Sequence, residues 1–422
     1  MVSVLPFRAL SPRPSAVDEV AAPPYDVMSR AEAREMIKDK PNSILRVTRP
    51  DAILSDEVST YDDLAYHTAR EELCRLFAEG ILVFDTDPCY YIYTQEMGSH
   101  RQTGIVGLAS AADYFASLIK KHEYTLPKKE DDRTKQVLAL GAHLGPVFLT
   151  HLPHMGLKEI IAVYQAHPPT TTHIASDGIK HEIWKVSNPT DLNVIQRAYS
   201  EIDKLYIADG HHRAAAAARV SKELIENPMA EHFLSVSFAA DELLVLPYQR
   251  VVTELRMSSE RLLSLLKEQF VIEQVEPPQD RDPSEVCHFP KGPQHWGMYL
   301  EGQWYIMSLN SVMIREVRSR DLTAQLDVSV LQDEVLRPLL GVEDPRNAEH
   351  ISFIGGIRGF RELESRVNEC GGVAFALYPT SLKELMEIAD DDSVMPPKST
   401  WFEPKLRTGL LMSVFDRSKL NV

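Results

Sequence analysis

The sequence predicts an α/β (α+β) protein of two domains, a larger one over residues 1–253 and a smaller α+β domain over residues 254–422. Three observations predict it. A chain of 422 residues exceeds what one ordinary core fills. Short buried-strand runs such as Leu205–Ala208 and Gly145–Thr150 are interspersed with amphipathic segments such as Tyr61–Gly80. From about Met257 the pattern changes to a helix, a break at Pro277-Pro278, and the alternating strands His295–Leu300 and Gln303–Leu309. Apolar content of 44% and charged content of 25% are those of a soluble globular chain.

Taken in order, the chain opens with an apolar strand and then becomes proline-rich. Val20 to Val27 is extended, because each proline biases its predecessor away from helix. Ser29 and Glu32 form a capping box for the next helix, so Asp26 sits on a loop between a rigid run and a helix start. It is a turn aspartate or a catalytic one. Ile44–Val47 reads as a strand that delivers Arg49, which either faces a phosphate or pairs with Asp51. Cys89–Gln95 and Arg101–Leu108 form a hairpin around Met97-Gly98-Ser99. Ile119–Arg133 is a polar cluster, either a solvated charged connector or part of a site. Ser176–Trp184 reads as a turn and an alternating strand, a hairpin edge with Lys180 and Glu182 outward. Asp191–Ile202 is a helix, and Phe233–Ala239 and Leu243–Pro247 are strands, the second ending in Tyr248-Gln249-Arg250. In the second domain Asp327–Leu331 opens a helix, and Phe360–Cys370 is a helix stopped by Gly371-Gly372 before the strand Val373–Leu377. The final MPPKSTWFEPKLRTGLL carries Lys398, Ser399, Thr400, Lys405 and Arg407 among prolines and aromatics. It is either an ordered tail packed back on the first domain or a surface-packed terminus.

The stretch around which the chain is organised is LYIADGHHRAAAAARV, Leu205 to Val220. An apolar strand breaks at Asp209-Gly210 and gives way to Ala214–Ala218, a run of the best helix former. Strand, glycine turn and helix start leave the amides of Gly210, His211 and His212 as first-turn donors at the positive end of the helix dipole. Arg213 adds a fork of charged donors, and His211 and His212 can donate or shuttle protons. Such a turn cradles an anion, phosphate above all, although it lacks both the Walker spacing and the Rossmann glycine triplet. The plainer alternative is a helix start capped by Asp209 with solvated histidines. A metal held by Asp209, His211 and His212 is weaker, because adjacent histidines diverge on a helix.

IADGHHR, with its strand and alanine-rich helix, is similar to the hallmark of the family called domain of unknown function one thousand and fifteen. That family resembles the ParB/sulfiredoxin superfamily, including ParB-like free serine kinases that share a DGHHR turn. The resemblance implies a ParB/sulfiredoxin-like nucleotide-binding core with insertions, contacting phosphates through Asp209, Gly210, His211, His212 and Arg213. PPYDV is a family signature, and an acidic residue near it serves as base in the kinase-like relatives, which makes Asp26 the candidate base beside the two histidines. His122-Glu123, Thr125, Lys128 and Asp132-Arg133 match a second family block. Lys128, Arg133 and Arg49 are then candidate phosphate contacts, with Glu123 and Asp132 as magnesium ligands. Gln249 departs from the histidine usual in the family, which leaves Arg250 as a charge contact. The implied cofactors are ATP or ADP, with CTP as the alternative, and Mg2+.

A net charge of −16 argues against a broad nucleic-acid surface. The scattered Cys74, Cys89, Cys287 and Cys370 suit a reducing cytoplasm. No run of about 18 apolar residues suggests a membrane span, and a homodimer is compatible with the sequence. The functional expectation is a nucleotide-dependent phosphotransferase, a small-molecule kinase with free serine as leading substrate. The alternatives are a ParB-like regulatory switch without turnover and a nucleotide hydrolase or phosphatase.

Overall fold

A computed structural model describes residues 1–279 and 289–420; Cys287 lies outside the described residues. The chain divides into two compact units. One comprises Met1–Met97, Arg101–Leu243 and Pro404–Val422, the other Gly98–His100 and Leu244–Glu403.

The first unit gathers its apolar runs into a nine-stranded mixed sheet. Its strands are β1 (Val4–Leu5), β2 (Tyr90–Met97), β3 (His100–Ser110), β4 (Ile119–Lys120), β5 (Val147–His151), β6 (Thr171–Ile174), β7 (Lys180–Val186), β8 (Leu205–Asp209) and β9 (His232–Ala239). They run in the order β4-β8-β5-β9-β3-β2-β7-β6, with β1 paired to β3. β5 is buried along its whole length, as a continuous VFLTH run inside a covered sheet requires. Around the sheet lie α1 (Arg30–Ile37), α2 (Asp63–Ala78), α3 (Pro127–Leu140) and α4 (His211–Glu223). The Ser29–Glu32 capping box is present at α1. The small side chains Ala214–Ala218 are all buried and let α4 lie against α3 and into the core with Leu149 and Ile207.

Several readings change here. Ile44–Val47 is not a strand: Leu45–Thr48 is a helical turn, buried with Leu73 and Leu76 of α2. A four-residue apolar run carries too little periodicity to decide, so the surrounding core decides. The Lys180–Trp184 strand is not an edge, because β7 pairs with β2 on one side and β6 on the other. That buries His181. The polar cluster after Ile119 is no loose connector: its second half is the first half of α3, with Asp132, Arg133, Thr134 and Gln136 buried.

The second unit is built on a six-stranded sheet of β10 (Tyr248–Val252), β11 (Phe270–Val275), β12 (His295–Leu300), β13 (Gln303–Leu309), β14 (Ile351–Gly355) and β15 (Val373–Leu377). The order is β11-β13-β12-β15-β10-β14, and the helix α5 (Gly359–Cys370) shares its core. The division falls after Leu243 and not after residue 253, because β10 is an interior strand of this sheet. Arg250 is therefore a core residue of the second unit, its guanidinium donating to the carbonyls of Tyr248, Pro397 and Lys398 and lying over the Phe353 ring.

Close packing in the second unit depends on Gly372. A methyl there would stand 1.9 Å from the carbonyl oxygen of Val252. Gly372→Ala should lower stability by about 1–3 kcal/mol, read from urea denaturation. Gly292→Ala, where a methyl meets open space, should leave the curve in place.

Candidate functional site

The turn forms where the register of β8 against β5 slips between Ile207 and Asp209. Gly210 follows with φ 92° and ψ 32°, left-handed backbone that favours glycine. The helix α4 then begins with no side-chain cap. A second demand for glycine comes from Arg213, whose side chain folds back over the turn: a methyl on Gly210 would lie 2.9 Å from Arg213 Nε. The guanidinium also donates to the carbonyl of Pro146.

Asp209 does not cap the helix by its side chain; its Oδ1 accepts from the Gly210 amide at 2.7 Å and its Oδ2 lies 3.3 Å from Lys405 Nζ. Burial alone would raise its pKa. The positive charges of Lys405 and Arg213, with His211, overcome that and hold the carboxyl well below the usual range.

The two histidines tie the turn to the segment between β4 and α3. The His122 amide donates to His211 Nε2 at 3.5 Å, and the Leu126 amide donates to His212 Nε2 at 3.0 Å. His211 is buried, and burial followed by the neighbouring His122 keeps it neutral at pH 7. With Nε2 accepting, its proton resides on Nδ1, 3.9 Å from Glu123 Oε2. The His122 ring meets His211 edge to face at 4.5 Å between centroids. Burial lowers its pKa to about 4.

Tyr25 joins the loop of Asp26 to this neighbourhood. Its ring lies under Arg133, 4.0 Å from the guanidinium carbon. Burial pushes its hydroxyl up to about 12, moderated by Arg133 and Arg213 and reinforced by Asp26 and Asp132. Asp26 itself is exposed. The loop is clamped by Arg49, which donates to the carbonyls of Tyr25 and Met28 and grips Asp51 through two hydrogen bonds of 2.9 and 3.0 Å.

Several expected roles do not survive this geometry. Arg49 is committed to its loop and to Asp51 and is not directed at a phosphate. Asp132 is not a magnesium ligand: Oδ1 accepts from Tyr66 at 2.8 Å, Oδ2 from Arg133 at 2.9 Å, and the residue is 7% exposed. Arg133 donates to Asp132 through Nε and one terminal nitrogen and to Gln136 through the other. Lys128 is exposed, its ammonium 4.4 Å from the centre of the Tyr61 ring. Among the described residues no group of three or more His, Cys, Asp or Glu is placed to hold a metal ion. No signal beyond its place in PPYDV marks Tyr25, and Lys405 has only its charge in the tail to mark it.

These features describe a mixed α/β protein with a strand–glycine–helix turn at one end of its central sheet. The chain belongs to the family described as protein of unknown function (DUF1015), which matches residues 4–329. No curated protein matches it. Among solved structures, a mutant free serine kinase in complex with ADP is 16% identical, over 69% of this chain and 88% of that one, with a TM-score of 0.33. SbnI with a C-terminal truncation, from Staphylococcus aureus, is 12% identical over 75% and 92%, with a TM-score of 0.38. A conserved hypothetical protein from Pyrococcus furiosus is 15% identical over 69% and 92%, with a TM-score of 0.32. Likeness at this level carries no functional argument. Among the described residues no helix is long and apolar enough to cross a membrane.

The buried pair of histidines makes a pH prediction. His122 titrates near 4 in the fold and near 6.5 when unfolded, so between these values the unfolded chain binds more protons. Its contribution is present above pH 6.5 and is lost as pH falls toward 4, on the order of 3 kcal/mol in all. His122→Gln should flatten that part of the stability–pH curve in urea denaturation between pH 7 and 4.

Proposed function

We propose that the turn Asp209–Arg213 binds nucleotide phosphates and that the protein is a phosphotransferase acting on a small hydroxyl metabolite, with ATP or ADP as donor. The observation that carries this reading is the uncapped start of α4 after a left-handed glycine, with the Arg213 guanidinium folded over the same turn. A helix start with a cation beside it suits an oxyanion. The shared DGHHR turn of the free serine kinases makes serine the first acceptor to test.

In this reading the acceptor oxygen attacks the terminal phosphorus, the bond from that phosphorus to the bridging oxygen breaks, and the shorter nucleotide leaves with the electron pair. The hydroxyl proton passes to Asp26, whose side chain is solvent-exposed on its loop. Arg213 and the first-turn amides hold the phosphate oxygens. Lys405 keeps Asp209 neutralised so that its charge does not repel them. Neutral His211 holds the His122–Leu126 segment in position and presents its Nδ1–H to Glu123. Magnesium would draw on Glu123, whose side chain is 39% exposed, together with phosphate oxygens and water. It would supply neutralisation of phosphate charge.

Phosphorus nuclear magnetic resonance with nucleotide, magnesium and a panel of hydroxyl metabolites including serine tests the reading. A new phosphomonoester is expected with wild type. Asp26→Asn should lower turnover about a hundredfold or more while leaving nucleotide affinity nearly intact. Arg213→Ala should weaken nucleotide binding about tenfold or more in calorimetry, with its melting curve as control because Arg213 also braces Pro146. Nucleotide binding with no phosphomonoester across the panel would favour a regulatory switch instead.

A further inference from the structure

We propose that Arg407 and His181 form a second anion site, one that receives the carboxylate of a small ligand, and that the Asp177 carboxylate occupies it in the ligand's absence. Arg407 is 4% exposed and His181 1%. The Arg407 guanidinium pairs through one terminal nitrogen with Asp177 Oδ2. Its backbone amide donates to the Tyr93 hydroxyl at 3.3 Å, and that hydroxyl lies 2.8 Å from His181 Nδ1. Tyr93 and His173 stack on the two sides of the His181 ring at 5.8 Å between centroids.

The protons can be assigned. Burial, then the Arg407 charge and His173, hold the His181 pKa well below its ordinary value, so the ring is neutral and carries one proton. Tyr93 oxygen accepts from the Arg407 amide, and in the tautomer that an anion here requires it gives its own proton to Nδ1. The imidazole proton is then on Nε2. Among the described residues no acceptor lies within reach of that nitrogen, nor of Arg407 Nε, and both atoms are buried. Buried N–H groups are nearly always satisfied. Two unsatisfied donors beside one buried guanidinium are the lining of a site for an acceptor with negative charge.

Asp177 is the group that now answers the charge, and it is poorly suited to keep its place. Its side chain is 46% exposed on a turn closed by the Gly178 amide to the Ala175 carbonyl. Its Oδ1 is used by the Ile179 amide at 3.2 Å, so it offers Arg407 one oxygen only. A free carboxylate can offer both, the geometry a guanidinium fork matches best. Arg407 is two residues beyond Lys405, the partner of Asp209, and two residues span at most about 7 Å. Taken with the phosphotransferase proposal, on which this extension rests, an Arg407–His181 anion site makes the acceptor a hydroxy acid or hydroxy amino acid.

The test omits nucleotide altogether. Glycolate, with ethylene glycol as the probe lacking the carboxylate, is titrated by calorimetry into wild type and Asp177→Asn. The asparagine keeps an oxygen for the Ile179 amide and removes the competing charge. Asp177→Asn should bind glycolate at least tenfold more tightly than wild type, and neither protein should bind ethylene glycol. Because Arg407→Gln disturbs a buried position, the site is read in Asp177→Asn itself, from the nitrogen-15 resonance of arginine Nε groups. One buried Nε–H signal should shift on adding glycolate. Equal glycolate affinity in the two proteins, equal binding of ethylene glycol, or no arginine signal moving would each overturn the proposal. A failed glycolate titration beside normal nucleotide binding would remove this site alone; the reverse result would remove the phosphate cradle and leave this site.

Discussion

A half-buried carboxylate governs the organisation of the first unit's centre. Asp209 ends the strand β8, gives one oxygen to the amide of the glycine that turns the chain, and gives the other to an ammonium from the far end of the sequence. Its partial desolvation is offset only where these partners are in place. The turn, the helix start and the path of the tail therefore have to be correct together. Arg213 adds its charge to the same balance, and it can lie over the turn because residue 210 has no side chain to obstruct it.

The segment His122–Leu126 is the second part of this arrangement. It holds the helix start through two backbone amides, each received by a histidine of the DGHHR run. The double histidine thus has a structural task that chemistry alone would not suggest. It docks one polar segment onto another, and it does so only while both rings can accept at Nε2.

Much of the architecture was legible because it is local. The turn after Ala208, the capping box at Ser29, and the strands His295–Leu300 and Gln303–Leu309 each follow from a few consecutive residues, and each is where the sequence puts it. The misreadings share a different cause. Ile44–Val47 and the Lys180 strand depend on what lies beside them: a helix in one case, the unrecognised strand Thr171–Ile174 in the other. At the candidate site, sequence marked Asp209, Gly210 and Arg213 as a cluster but could not tell which charges were already spent. Asp132 and Arg133 look available as letters and are consumed by each other, by Tyr66 and by Gln136. Lys405 was invisible as a partner because 195 residues separate it from Gly210.

That separation has an order in time. Residues 244–403 form a unit of their own, inserted between Leu243 and Pro404 of the first. A chain emerging from the ribosome exposes Asp209 and the whole DGHHR turn long before it exposes Lys405. Until the insertion has been synthesised, the carboxylate has no ammonium to meet, and Ala142–His143 lack Ser413–Val414, with which they form a separate two-stranded sheet. The turn of the first unit therefore acquires its charge balance only after residues 244–403 have been made.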